Sequence, residues 1–131
     1  MNKIGSRTLK NISNIDPKLS LILGMVLARG KVDFTITSGL RTLEEQRKLF
    51  AQGRSGEGKI ITNMDGIIKK SYHQTGKAID FIPYPFKGWN DTESFIKVGE
   101  ELKFCADFLG IENAYGGHWK SFKDYPHFQV K

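Results

Sequence analysis

Residues 71–81 read Ser-Tyr-His-Gln-Thr-Gly-Lys-Ala-Ile-Asp-Phe, and the expected fold and chemistry both start from this stretch. Its second half predicts a short inner strand, bounded by Gly76 on one side and by Pro83 on the other. An ionised carboxylate at Asp80 is costly in such a strand unless a cation or several hydrogen-bond donors meet it. A metal ion would meet it, and His73, folded back by a turn at Gly76, is a suitable second ligand.

A purely structural explanation of the same residues stays open. A lone histidine beside an apolar strand is commonly a satisfied core or surface residue, and a buried aspartate is commonly paired with an arginine or with backbone donors. A catalytic zinc usually takes three protein ligands and a water, so His73 and Asp80 are too few by themselves. A third candidate, His127, lies on a predicted terminal strand, where alternation places it on the same face as Gln129. Paired beside residues 77–82, that strand would bring His127 next to Asp80.

Apolar residues at helical spacing predict three helices, at residues 17–29, 42–52 and 90–109. Asp16 followed by Pro17 is a favourable helix start. Thr42 and Asn90 each precede a glutamate at the spacing of a capping box. Residues 1–15 are compatible with a further short amphipathic helix.

Short runs rich in β-formers predict strands, at residues 32–37, 77–82, 111–115 and 126–130. Together with the helices they predict an α+β fold, in which a single small domain spans residues 1–131. Its mainly antiparallel sheet would carry the site, and the helices would pack around it. Residues 53–70 predict a long loop, for which a hairpin, a functional lid and disorder remain alternatives.

Composition narrows the classes of function. The 131 residues suit one domain, and the single cysteine, Cys105, excludes an intramolecular disulfide and fits a reducing cytoplasm. The start lacks an apolar signal-peptide core, and no stretch approaches about 20 apolar residues, so we expect neither a secretory signal nor stable membrane insertion. The net charge of +6 favours solubility or attraction to an anionic surface. Nucleic-acid binding is the weakest reading, because no basic block or aromatic–basic motif is present.

Four blocks between residues 38 and 129 resemble the motifs of one family, in the family's order: Ser38-Gly39-Leu40-Arg41-Thr42 with Gln46, Ser71-x-His73-x-x-Gly76-x-Ala78-x-Asp80, Gly116-Gly117-x-Trp119, and Asp124-x-x-His127. That family is the zinc peptidases that cut peptidoglycan stem peptides. It includes the D-alanyl-D-alanine carboxypeptidases, the VanX and VanY enzymes and the L-alanyl-D-glutamate endopeptidases of bacteriophage lysis. The resemblance implies the hedgehog/DD-peptidase-like fold. The short chain without a signal peptide is most similar to the phage endolysin branch.

The resemblance also implies a role for particular residues. One Zn²⁺ per chain would be held by His73, Asp80 and His127, with Asp124 as the general base and Arg41 stabilising the oxyanion. The implied substrate contacts are Ser38, Gln46, Ser71, His118 and Trp119. His118 departs from similar phage sequences, which often have Asp or Asn there, so it could instead be an outer-sphere group or a rival zinc ligand.

Without the resemblance, simpler explanations exist for three of these residues. Arg41 could form a surface ion pair, Gln46 could be a solvated helix position, and Asp124 could be a turn former.

The function implied is that of a zinc-dependent peptidoglycan hydrolase that cleaves the L-alanyl-D-glutamate bond of the stem peptide during host lysis. We expect a monomer without a separate wall-binding domain. It would stay in the host cytoplasm until release and then act on the cell wall in the periplasm, where an anionic envelope surface could attract it. The alternatives are a D-alanyl-D-alanine carboxypeptidase and a non-catalytic wall-binding module on the same fold.

Overall fold

The computed structural model describes residues 4–56, 58, 60 and 72–131. Its α-helices are α1 (Ser6–Asn11), α2 (Pro17–Arg29), α3 (Leu43–Ala51) and α4 (Thr92–Phe108). Its strands are β1 (Phe34–Ser38), β2 (Ala78–Pro83), β3 (Asn113–Tyr115) and β4 (His127–Val130). Two short 3-10 turns, Tyr72–Thr75 and Gly116–His118, precede β2 and follow β3. The prediction of a small α+β domain is confirmed.

The strands within this described part form one sheet in the order β1-β2-β4-β3, and every neighbouring pair is antiparallel. β2 is therefore an inner strand, as its apolar composition predicts, and β4 lies directly beside it. The register pairs Asp80 with His127. Since directly opposed residues of an antiparallel pair project from the same face, the strand pairing alone brings these two side chains together.

Two of the three predicted helix starts have the capping expected from the sequence. The Asp16 side chain accepts a hydrogen bond from the Lys18 amide, and Pro17 is the first residue of α2. Thr42 and Glu45 form a complete capping box at the start of α3. The third start was predicted wrongly, because α4 begins after Asp91, which makes no capping hydrogen bond, and not at a capping box of Asn90.

The core lies where α2 and α4 pack against each other and against the sheet. Its largest fully buried side chains are aromatic and branched aliphatic residues, among them Tyr115, Phe81, Phe95, Phe128, Leu19 and Ile22. Cys105 is buried in the same cluster, as expected for a small core residue.

α1 covers the edge strand β1 through side-chain hydrogen bonds. The Ile36 amide donates to Thr8 Oγ1 at 2.9 Å, and Asn11 Nδ2 donates to the Ile36 carbonyl at 2.9 Å. These bonds satisfy backbone groups that an edge strand would otherwise leave for another chain to pair with. The short N-terminal helix thus fixes the strand that leads to the site.

The predicted loop at 53–70 falls largely outside the described residues, and so does the hairpin or lid proposed for it. In the part of the chain that the structure describes, no helix is both long enough and apolar enough to cross a bilayer.

Two helical glycines provide a matched test of the packing. A Cβ added at Gly24 of α2 meets no atom within 4 Å, whereas one added at Gly99 of α4 overlaps the Tyr115 ring. We expect Gly24→Ala to raise the free energy of unfolding by about 0.5–1 kcal/mol, because alanine favours helix. Gly99→Ala should lower it by about 1–3 kcal/mol through overpacking. Denaturant titration measures both, and equal stability of the two variants would contradict the packing of α4 on Tyr115.

Candidate metal centre

Three chain segments bring His73, Asp80 and His127 into one cluster. Asp80 and His127 face each other across β2 and β4, and His73 lies in the 3-10 turn that precedes β2. Gly76, with a φ of 72°, turns the chain between His73 and the strand. The His73 carbonyl accepts a hydrogen bond from the Arg41 amide at 2.8 Å, which ties the loop after β1 to this turn.

The distances within the cluster fit a tetrahedral metal ion. Asp80 Oδ1 lies 3.3 Å from His73 Nε2 and 3.5 Å from His127 Nδ1. One ligand atom from each of the three residues lies within 4.8 Å of the others. Zinc bonds of about 2.0–2.1 Å in tetrahedral geometry separate neighbouring ligand atoms by about 3.3–3.4 Å. Two imidazoles and a carboxylate at these separations could therefore hold Zn²⁺ with little rearrangement.

Each histidine directs its second nitrogen away from the cluster. His73 Nδ1 lies 3.0 Å from the Gly39 carbonyl oxygen, and His127 Nε2 lies 2.7 Å from Gln129 Oε1. A hydrogen bond from the outer nitrogen fixes the tautomer and the ring orientation of a histidine that binds metal. The cluster thus presents Nε2 of one ring and Nδ1 of the other.

The pKa of Asp80, in the cluster, and the pKa of Asp124, beside it, are shifted in opposite directions. Burial by itself would raise the pKa of Asp80, but hydrogen bonds and charge from His127 and His73 outweigh it and hold that pKa below its usual range. Burial raises the pKa of Asp124, and the negative charge of Asp80 raises it further against the opposing effect of His127, His73 and Arg41. Burial would lower the pKa of His127, but Asp80 and Gln129 raise it overall.

Asp124 is held beside the cluster by its backbone. Its amide donates to the Gly116 carbonyl at 3.0 Å, and its own carbonyl accepts from the His127 amide at 3.1 Å. The side chain is about half exposed, and Oδ2 lies 3.9 Å from His127 Nδ1. This carboxylate is therefore close to the candidate metal position yet open to a ligand from solvent.

Arg41 borders the cluster on the side of Asp80. Its Nη1 donates to Gln46 Oε1 at 2.7 Å, and its Nη2 lies 3.6 Å from Asp80 Oδ2, the oxygen that does not face the histidines. Arg41 is therefore not a surface ion pair. Gln46 was predicted as a substrate contact, with a solvated position as the alternative. Its side chain has no exposed surface, which excludes the solvated position, and the substrate contact stays a prediction.

Of the other expected substrate contacts, Trp119 and Ser38 lie next to residues of the cluster and His118 lies apart from it. The Trp119 ring packs 5.3 Å from the His127 ring, and Ser38 is the cross-strand partner of Asp80 after a register irregularity in β1. His118 Nε2 lies 3.8 Å from Glu100 Oε1 of α4, and its ring packs against Tyr115, so it does not join the metal cluster. Ser71 falls outside the described residues.

Two groups of the site were not assigned from the sequence. Alternation already placed Gln129 on the face of His127, so the strand pattern contained the signal for its contact. The Gly39 carbonyl gave no such signal, because a backbone acceptor is set by chain geometry and not by residue type.

A small antiparallel sheet with helices around it and a His–Asp–His cluster at β2 and β4 defines a domain of the DD-peptidase-like fold. A D,D-pentapeptidase VanY structure in complex with Zn(II) has this fold, with a TM-score of 0.57 and 20% identity over 98% of this chain and 83% of that one. More specifically, the chain belongs to the phage L-alanyl-D-glutamate peptidase family, whose model matches residues 1–130.

Two relatives extend this result. The L-alanyl-D-glutamate peptidase of Escherichia phage T5 is 33% identical over 132 residues, which cover 98% of this chain and 89% of that protein. The crystal structure of the Serratia marcescens L-Ala D-Glu endopeptidase ChiX has a TM-score of 0.75 and 26% identity, over 96% of this chain and 87% of that one. The resemblance inferred from the sequence motifs is thereby confirmed.

The hydrogen bond between Arg41 and Gln46 can be tested by a double-mutant cycle. Gln46→Leu should lower the free energy of unfolding by about 1–3 kcal/mol, because it leaves a largely buried guanidinium without its acceptor. In the background of Arg41→Met the same substitution should cost less, with a coupling of about 0.5–3 kcal/mol. Urea titration of the four proteins gives this coupling, and strictly additive effects would show that the pair does not interact.

Proposed function

We propose that this chain is a zinc-dependent endopeptidase that cleaves the L-alanyl-D-glutamate bond of the peptidoglycan stem peptide. The observation that carries the proposal is the cluster of His73, Asp80 and His127, whose 3.3 and 3.5 Å separations suit one tetrahedral zinc. Membership of the L-alanyl-D-glutamate peptidase family supports the choice of bond. A fold neighbour described in complex with Zn(II) supports the choice of metal.

Zinc bound there would lower the pKa of a coordinated water toward about 7 and polarise the carbonyl of the scissile bond. Asp80 is well suited as the anionic ligand, because its Oδ1 faces the ring nitrogens of both His73 and His127. Asp124, at 3.9 Å from His127 Nδ1, is the base that takes a proton from the attacking water. The same carboxylic acid then gives this proton to the departing amine of D-glutamate.

Arg41 supplies the positive charge at the rim of the site. Gln46 and Asp80 hold its guanidinium, so little reorganisation is needed when negative charge develops on the carbonyl oxygen. Trp119 packs against the ring of His127 and forms part of the wall on which the stem peptide would lie.

Host lysis by a phage is the biological setting that we propose. In that setting the protein would remain in the host cytoplasm until release and would then meet the wall from the periplasm. Its net charge of +6 would raise its concentration at an anionic envelope.

A D-alanyl-D-alanine carboxypeptidase is the second candidate, because VanYB, a neighbour with a TM-score of 0.61 and 18% identity, is described in complex with D-alanine-D-alanine. A non-catalytic wall-binding module is disfavoured, since it would have no use for Asp124 beside a complete ligand set.

Substitution should separate the ligands from the base. His73→Ala, Asp80→Ala and His127→Ala should each lose zinc and activity together, since two ligands hold the ion poorly. Asp124→Ala should keep stoichiometric zinc but lose about 10²–10⁴-fold in turnover, the usual contribution of a general base. Atomic emission gives the metal content, and clearance of wall fragments gives the rate.

His118→Ala is the matched control, because it removes an imidazole that pairs with Glu100 outside the cluster. It should retain zinc, with at most a partial loss of rate. Release of zinc by His118→Ala with retention by His127→Ala would overturn the ligand assignment. Wild-type clearance by Asp124→Ala would overturn the mechanism.

The bond that is cut can be read from the products. Purified peptidoglycan digested with the zinc-loaded protein should carry new N-terminal D-glutamate amines and leave L-alanine on the muramyl lactyl group. Mass spectrometry of the soluble and residual fractions detects both products. Release of free D-alanine alone would move the assignment to the carboxypeptidase class.

A further inference from the structure

We propose that Gln129 is a positioning residue for His127. Its amide oxygen holds the proton on Nε2 of the imidazole, so that the lone pair of Nδ1 points into the cluster. The inference rests on the proposed zinc site, and it assigns to Gln129 a role that none of the site motifs includes.

The first argument is the chemistry of the ring. A neutral imidazole has one N–H donor and one acceptor nitrogen, and only the nitrogen without a proton can bind a metal. His127 Nε2 lies 2.7 Å from Gln129 Oε1, whereas Nδ1 lies 3.5 Å from Asp80 Oδ1. Because the contact at Nε2 is the shorter of the two, it favours a proton on Nε2, which leaves Nδ1 to bind a cation in place of its contact to Asp80. The same bond also fixes the rotation of the ring about its Cβ–Cγ axis.

The second argument is that the backbone of Gln129 is fixed within the sheet. Gln129 is two residues after His127 on β4, so both project from the same face. Its backbone position is paired with Ala78 on β2 and with Ala114 on β3. Strands on both sides therefore hold it in register. The small methyl groups of the two alanines leave room for the longer amide to bend back toward the ring.

The third argument is a comparison of the two histidines. His73 gains its orienting acceptor from the Gly39 backbone, 3.0 Å from Nδ1, which no substitution of a side chain removes directly. His127 relies on a side chain for the same purpose, and only 8% of its surface is exposed, so water has little access as a substitute. A substitution at position 129 can therefore change the orientation of the His127 ring.

The experiment compares the zinc-binding protein with three variants. Gln129→Met removes the acceptor at similar volume, and Gln129→Glu keeps an acceptor oxygen. Asn113→Leu, which removes an amide from the neighbouring strand β3 that bonds to Asp107 and not to the site, is the matched control. Zinc dissociation constants come from competition with a chromophoric chelator. Long-range ¹H–¹⁵N NMR of the zinc-loaded proteins shows which nitrogen of each histidine carries the proton.

Gln129→Met should weaken zinc binding by about 10–100-fold, the usual effect of removing an outer-sphere partner. Gln129→Glu and Asn113→Leu should bind nearly as tightly as the unaltered protein, whose His127 should be protonated at Nε2. Unchanged affinity in Gln129→Met, or zinc bound through Nε2 of His127, would overturn the inference while leaving the zinc peptidase intact. Absence of zinc binding by the unaltered protein would overturn the proposed function as well. If Gln129→Met does not fold, the NMR spectrum of the unaltered protein and the affinity of Gln129→Glu decide the question.

Discussion

The carboxylate of Asp80 is the constraint on which the rest of the structure depends. It lies on an inner strand among apolar neighbours, where a charge is tolerated only if partners compensate it. One oxygen faces His73 and His127, and the other faces Arg41 at 3.6 Å. Burial opposes the ionised form, but hydrogen bonds and charge from His127 and His73 outweigh it and hold the pKa of Asp80 below its usual range. The same compensation gathers the side chains that a metal ion requires.

Parts of the chain that are distant in sequence, from α1 through the end of β1, support the position of His73 in the cluster. α1 bonds to both backbone groups of Ile36, and a Cβ on Gly39 would overlap the Asn11 carbonyl, so the helix packs closely against the end of β1. The Gly39 carbonyl in turn accepts from His73. Accurate placement of a metal ligand needs such a chain of contacts, because a ligand held only by a loop would lose its geometry. The N-terminal helix, which buries none of its own residues, is thus part of the framework of the site.

Local rules predicted much of this arrangement, and they failed where tertiary contacts decide. Period-two alternation in β4 and the apolar run of β2 predicted that His127 would lie beside Asp80 if the two strands pair, and the observed register confirms this. Capping residues located the starts of α2 and α3, because a cap is a hydrogen bond between residues close in sequence. The solvated alternative for Gln46 was wrong, because its place on a polar helix suggested solvent, whereas its side chain is buried and accepts from the Arg41 guanidinium. A backbone acceptor such as Gly39 has no sequence pattern at all.

The two aspartates show how one residue type can serve two purposes within a few ångströms. Burial would raise the pKa of Asp80, but the imidazoles of His127 and His73 outweigh it and lower that pKa, as suits the proposed anionic ligand. Partial burial and the negative charge of Asp80 raise the pKa of Asp124, against the opposing effect of His127, whose Nδ1 lies 3.9 Å from Oδ2. A raised pKa brings a carboxylate nearer to the range in which it can both accept and return a proton. Where the surroundings separate the pKa values of two neighbouring carboxylates, the two groups are suited to different chemical roles. The proposed ligand and the proposed base therefore differ in their surroundings, which the strand register and the Gly116 contact to Asp124 impose.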